Sequence, residues 1–193
     1  FDNKEYYEIP NKKIDYNSII IELKFICFSN EIWKDLQNSF NDNYLTVDSL
    51  YCSSYVRSSN YNSLFTDFKN KVILDIGYGK SAITIFEENR ILYFNILPVG
   101  GRHITNDISV LLKISQGDAE NLKKSLNQSE TIFDRKHKES AQIESPNLSN
   151  QVIFARVDEI IKLNLADEYF NTFIHNKKNC ILIFIGNGSK ILN

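Results

Sequence analysis

Two glycine-closed apolar runs decide how this chain is read: Val72-Ile-Leu-Asp-Ile-Gly-Tyr-Gly-Lys-Ser81 and, far downstream, Cys180-Ile-Leu-Ile-Phe-Ile-Gly-Asn-Gly-Ser189. Each has the length and composition of a strand and ends in Gly-x-Gly. Without a Cβ the backbone turns sharply and lets a ligand approach, and successive bare amides make an anion-binding concavity. As a pair the turns point to a nucleotide, with phosphates cradled by main chain and a flat base lying against it. Each copy alone also has a purely structural reading, because tight hairpins and strand-to-helix turns use the same residues.

The rest of the composition sets the class. With 193 residues, 42% of them hydrophobic and 24% charged, the chain has the make-up of a soluble globular protein with a substantial core. A formal charge of −2 provides no basic field for nucleic acid. No apolar run reaches the roughly eighteen residues that cross a bilayer. Cys27, Cys52 and Cys180 are odd in number, widely spaced and set in apolar runs, which reads as reduced buried thiols and a cytosolic setting. No His/Cys/Asp cluster has metal-ligand spacing and no Gly-x-Ser-x-Gly elbow is present, which argues against covalent catalysis. The absence of methionine and the abrupt ends read as a fragment.

Along the chain, residues 19–28 read as a strand, Ser29 as a helix cap, and Ile32, Trp33, Leu36 and Phe40 as one helical stripe, followed by a short strand at 46–51. A hairpin is expected from 71–86 and 90–97, turned at Glu87-Glu-Asn89 and closed by Pro98-Val-Gly-Gly101. Thr105-Asn-Asp107 reads as the cap of a helix with Ile108, Val110, Leu111 and Ile114 as its apolar positions; Gln116-Gly-Asp118 starts another with Ala119, Leu122 and Leu126. Residues 127–150 are polar, with β-prone pieces at 131–133 and 141–143. A helix over 148–173 and a strand over 180–185, covered on both faces, complete an α/β pattern.

One stretch is more specific: Asn95-Ile-Leu-Pro-Val-Gly-Gly-Arg-His-Ile-Thr-Asn-Asp-Ile108, followed by Gly117-Asp-Ala-Glu-Asn-Leu-Lys-Lys124. In order and spacing, together with the two glycine turns and the helix Val152-Ile-Phe-Ala-Arg-Val-Asp-Glu-Ile-Ile161, it resembles the FtsA family of bacterial cell-division proteins in the actin-like ATPase superfamily. The resemblance implies an actin-like (ribonuclease H-like) second domain over 71–193, its smaller subdomain at about 105–175. It implies that 1–51 is the tail of the family's small strand-helix-strand subdomain and that 52–70 connects back to a first domain upstream. ATP and Mg²⁺ would bind between the two domains and control self-association into filaments. FtsZ would dock on the smaller subdomain, beside other division proteins. A C-terminal amphipathic helix absent from this sequence would hold the protein, cytoplasmic and peripheral, on the inner membrane at the division site. The chain would be at most a slow ATPase, and it offers no nameable catalytic residue.

The same resemblance assigns site residues. Asp75, a mid-strand carboxylate whose burial costs several kcal/mol without a cationic or hydrogen-bonding partner, would face Mg²⁺ through water, or else cap its turn. Gly77 and Gly79 would give amides to the phosphates. Tyr78, Lys80 and Ser81 occupy the rest of that loop and, with Ala82, depart from the family's Gly-Thr-Thr-Asp, which puts fast phosphoryl transfer in doubt. Glu120 and Lys123, three apart on one helical face, would approach ribose and adenine, or form an ordinary surface ion pair. Gly186, Asn187, Gly188 and Ser189 match the adenosine loop, Asn187 replacing a glycine. Gly100, Gly101 and Asn106 read as scaffold and His103 as a cap. Two alternatives stay open: another actin-like enzyme, such as a sugar kinase or chaperone ATPase, and a degenerate, nucleotide-free interaction module.

Overall fold

The computed structural model describes residues 23–126, 148–166, 168–176 and 179–192. They divide into two compact units, one ending at Ser53 and the other beginning at Ser54. The β-prone pieces at 131–133 and 141–143 lie outside the described residues.

In the first unit, α1 (Asn30–Asn41) starts where the cap predicts: Ser29 is extended and its hydroxyl accepts the Ile32 amide at 3.3 Å. The strands expected on either side do not form among the described residues, 23–28 and 46–51. A strand exists only through hydrogen bonds to a neighbour. Here Leu23 and Phe25 are exposed rather than packed on a sheet, and no residue of α1 is buried.

The second unit is built on a four-stranded sheet of β1 (Asn70–Ile76), β2 (Ser81–Glu87), β3 (Arg90–Leu97) and β4 (Cys180–Ile185), in the order β3-β2-β1-β4. The first three run antiparallel and β4 is parallel to β1. The stretch 71–86 is therefore itself a hairpin bent at the first glycine turn, and the next turn places Glu88 in the left-handed region at φ 54°. It is β1 that is buried along its whole length. The downstream run, expected to be covered on both faces, is instead half-covered, with Leu182 exposed, because β4 ends the sheet and has one strand neighbour among the described residues.

Period-2 alternation divides the core. Val72, Leu74 and Ile76, with Ile83 and Ile85, face α3 (Gly101–Leu112), α4 (Gln116–Leu126), α5 (Leu148–Leu165) and α6 (Glu168–Asn176), whose Ile104, Ile108, Ala119, Ile153, Val157, Ile160 and Phe173 complete the cluster. The single helix expected over 148–173 is broken at Ala166, and α6 stacks Tyr169 on Tyr93 with ring centroids 5.2 Å apart. On the other face, Ile73, Phe86, Ile183 and Ile185 form a smaller cluster with Phe65.

That second face is also met by α2 (Ser53–Leu64), in a segment read from sequence only as a connection. Its buried stripe is polar: Ser54, Ser58 and Asn62, four residues apart. An apolar moment cannot reveal such a helix, yet small side chains let it sit close to the sheet. Thr84 donates to the Ser58 hydroxyl at 3.0 Å and the Lys71 amine to Asn62 at 2.8 Å. Burial pulls the Lys71 amine below its usual pKa, against the opposing charge of Glu88.

Candidate functional site

Because β1 and β4 are parallel neighbours, with Asp75 paired to Ile185, their carboxyl ends finish side by side and the two glycine turns meet. A Cβ on Gly188 would lie 3.0 Å from the Gly77 carbonyl oxygen and 2.8 Å from that of Ile76. Gly186 takes φ +87°, and a Cβ there would lie 2.5 Å from Asp75 Oδ1. Neither position admits a side chain without backbone movement. Carboxyl ends of parallel strands are where open α/β sheets bind ligands.

The strand-to-helix turn joins the same place. Helix α3 begins at Gly101, four residues before the expected cap, because the turn carbonyls satisfy its first amides: Gly101 donates to Gly77 at 2.9 Å and Arg102 to Tyr78 at 2.6 Å. The Gly100 amide donates to His103 Nδ1 at 3.1 Å, the capping role expected of His103. Asn106 lies further along, on the groove between α3 and α5.

Several expected donors prove to be occupied. The Gly77 amide closes its own turn on the Lys80 carbonyl at 2.9 Å and so is not presented to a ligand. Tyr78 and Gly79 keep amides outside the turn's backbone bonds; a Cβ on Gly79 would meet nothing within 4 Å, and Tyr78 is 62% exposed. Lys80 is exposed. Ser81 is fully buried, and its hydroxyl accepts from Asn164 of α5 at 2.8 Å, so it serves the core and not the loop mouth. In the far loop Asn187 is exposed at the start of a 3₁₀ turn (Asn187–Leu192), while Ser189 is buried and donates its hydroxyl to the Gly186 carbonyl at 2.7 Å.

Glu120 and Lys123 are brought together with Gly101 under the turn. The Lys123 amine, nearly buried, donates to Glu120 at 2.6 Å, to Thr105 Oγ1 at 2.7 Å and to the Gly101 carbonyl at 3.1 Å. Its three protons are all used. Thr105 donates to the same carboxylate at 2.5 Å. Burial alone would raise the Glu120 pKa, but these two hydrogen bonds and the charges of Lys123 and Lys124 outweigh it and hold the carboxyl below its usual value. The pair is thus more than a surface ion pair: it ties α4 to the start of α3.

Asp75 has the cationic partner its burial demands, and that partner is Arg57 of α2. The carboxylate is 1% exposed and a guanidinium nitrogen lies 2.7 Å from Oδ2. Neither carboxylate oxygen is met by a well-aligned donor. Desolvation therefore pushes the Asp75 pKa up, and Arg57, Ser54 and Lys80 only partly draw it back. Sequence reasoning required a partner but had no signal for Arg57, which comes from a helix without apolar periodicity. Mg²⁺ does not fit at this carboxylate: the ion keeps most of its water shell, whereas Oδ2 is held by a guanidinium and Oδ1 packs against Gly186. Among the described residues no three His, Cys, Asp or Glu side chains gather to hold a metal.

The family profile of the cell division protein FtsA matches residues 72–192, well over half of the sequence. The chain belongs to the FtsA family. It is 31% identical over 116 residues to the FtsA of Bacillus subtilis and 26% identical over 105 residues to that of Agrobacterium fabrum. These matches cover 52% and 53% of the chain but only 26% and 23% of the relatives, so the chain spans about a quarter of the length of the FtsA proteins it matches. Among solved structures it is similar to MreB5 of Spiroplasma citri bound to AMPPNP (TM-score 0.58, 14% identity, 86% of this chain and 56% of that one). It is also similar to the type IV pilus complex PilM-PilN (TM-score 0.55, 15% identity, 76% and 38%). The fold is accordingly actin-like α/β, shared at identities too low to carry function. No helix among the described residues is long and apolar enough to cross a membrane.

Proposed function

We propose that this FtsA-family chain carries one wall of an adenine-nucleotide site and that nucleotide state controls self-association of a cell-division scaffold. ATP lies across the carboxyl ends of β1 and β4, its phosphates toward the Tyr78 and Gly79 amides and its adenosine toward Gly186, Asn187 and Gly188. The observation that carries this reading is the meeting of two distant glycine turns, with the Gly79 side open. The actin-like MreB5 structures bound to AMPPNP and ADP support it. Hydrolysis, with backbone amides stabilising phosphate charge, is slow at most. The scaffold links FtsZ to the inner membrane from the cytoplasmic side. FtsZ docks on the smaller subdomain, whose groove between α3 and α5 exposes Val110 and Leu111 beside Val152 and is rimmed by Asp107, Arg156 and Glu159.

Calorimetric titration of the intact protein with ATP and Mg²⁺ tests the reading. Binding below millimolar nucleotide is expected. Gly79→Val is expected to weaken it about tenfold while leaving stability within about 0.5 kcal/mol, since no atom lies near that position. Silence at millimolar ATP refutes the nucleotide reading in favour of the interaction module, which the occupied Gly77, Ser81 and Lys123 groups favour. Turnover of a small substrate by the intact protein points instead to a kinase-type enzyme. For the groove, Val110→Asp is expected to abolish co-sedimentation with FtsZ polymers; unchanged co-sedimentation places docking elsewhere.

A further inference from the structure

The charge arrangement around Asp75 departs from a metal-dependent phosphate site. We infer that Arg57 is a resident cation of the nucleotide site, held by Asp75, so that this protein binds nucleotide phosphates without a divalent metal. The inference rests on the nucleotide reading above and adds the source of positive charge.

Three features of the structure carry it. Asp75 closes β1 directly before the glycine turn and is 1% exposed, yet its charge is met by the Arg57 guanidinium at 2.7 Å. The Arg57 side chain itself remains 45% exposed, so the pair is reached by solvent, and only one of the five guanidinium N–H donors is needed to face Oδ2. Lys80, on the turn, adds a second positive charge close enough to act on the same carboxylate. A guanidinium paired in charge with a buried carboxylate and still reached by solvent has donors left for a phosphate, which it can contact through two of them. A divalent cation brought to the same carboxylate would be repelled by Arg57 and Lys80, and it would have to displace a guanidinium already 2.7 Å from Oδ2. Ala82, paired directly across the ladder from Asp75, supplies no second acid to tip that balance.

The test is nucleotide affinity of the intact protein, with a fluorescent ATP analogue, in excess Mg²⁺ and in excess EDTA. Wild-type affinity is expected to change less than about threefold between the two conditions, whereas Arg57→Gln loses about tenfold or more in EDTA, the scale of one charge-assisted phosphate contact. Arg57→Lys, which keeps the charge, recovers part of that loss and guards against a folding artefact. Circular dichroism checks each variant for native structure. Binding in Mg²⁺ that disappears in EDTA overturns this inference and leaves the nucleotide reading standing. Equal EDTA affinities for wild type and a folded Arg57→Gln also overturn it. Binding in neither condition overturns both.

Discussion

Replacing Lys123 by methionine keeps the length and apolar stem of the side chain and removes only the charged head. The structure sets the magnitude. Three acceptors lose their common donor: Glu120 at 2.6 Å, Thr105 at 2.7 Å and the Gly101 carbonyl at 3.1 Å. Breaking a buried ion pair from one side costs about 3–5 kcal/mol when the remaining charge is fully enclosed. Glu120 is not, for its side chain is 26% exposed and Lys124 stands 3.5 Å from its other oxygen. Solvent and that second lysine screen the stranded carboxylate, which brings the expected cost down to about 2–3 kcal/mol. For a cooperative unit of this size that is a fall in Tm of roughly 5–10 °C. Thermal unfolding of the intact protein followed by circular dichroism measures it. The double variant Lys123→Met, Glu120→Gln is expected to recover about 1–2 kcal/mol relative to additivity, since the stranded charge is then gone. A loss under about 0.5 kcal/mol for the single variant, or strict additivity in the double, would show that these contacts do not tie α4 to α3.

Three further outcomes are expected. Gly100→Ala would set a Cβ 2.6 Å from the Gly77 carbonyl oxygen and 2.8 Å from that of Tyr78, both backbone, and is expected to cost about 2 kcal/mol or more in chemical denaturation; a neutral result would mean the turn yields freely. Ser81→Ala removes one of the two acceptors of the Asn164 amide and is expected to destabilise by about 1–2 kcal/mol without altering nucleotide affinity, so a selective loss of affinity would return Ser81 to the ligand. Glu120, with its folded pKa held below the ordinary 4.5, contributes stability that is complete above pH 4.5 and lost as pH falls through the folded value. The gap between wild type and Glu120→Gln should therefore be widest near neutral pH and close on acidification; a gap independent of pH would deny the carboxylate this role.

Much of the second unit was legible in the order of residues. The apolar runs around Ile73 and Ile183, the glycine punctuation after each and the Pro-Val-Gly-Gly turn name strands and turns because period and glycine chemistry act locally. They also sufficed to recognise the family. The Ser29 cap was readable for the same reason. Tertiary structure alone decided the rest, because pairing and desolvation depend on which elements meet. No periodicity announces α2, whose buried side is serine and asparagine, and so none announces that Arg57 reaches Asp75. The strands flanking α1 had the right composition but no ladder among the described residues, and Val110 and Leu111 kept the apolar spacing of a core while staying exposed. Their place in a motif makes Gly77 and Ser81 ligand groups by sequence, yet the hydrogen bonds of a closed hairpin and a facing helix claim them. A residue's type limits which bonds it can make. Only the packed chain determines which of them are already taken.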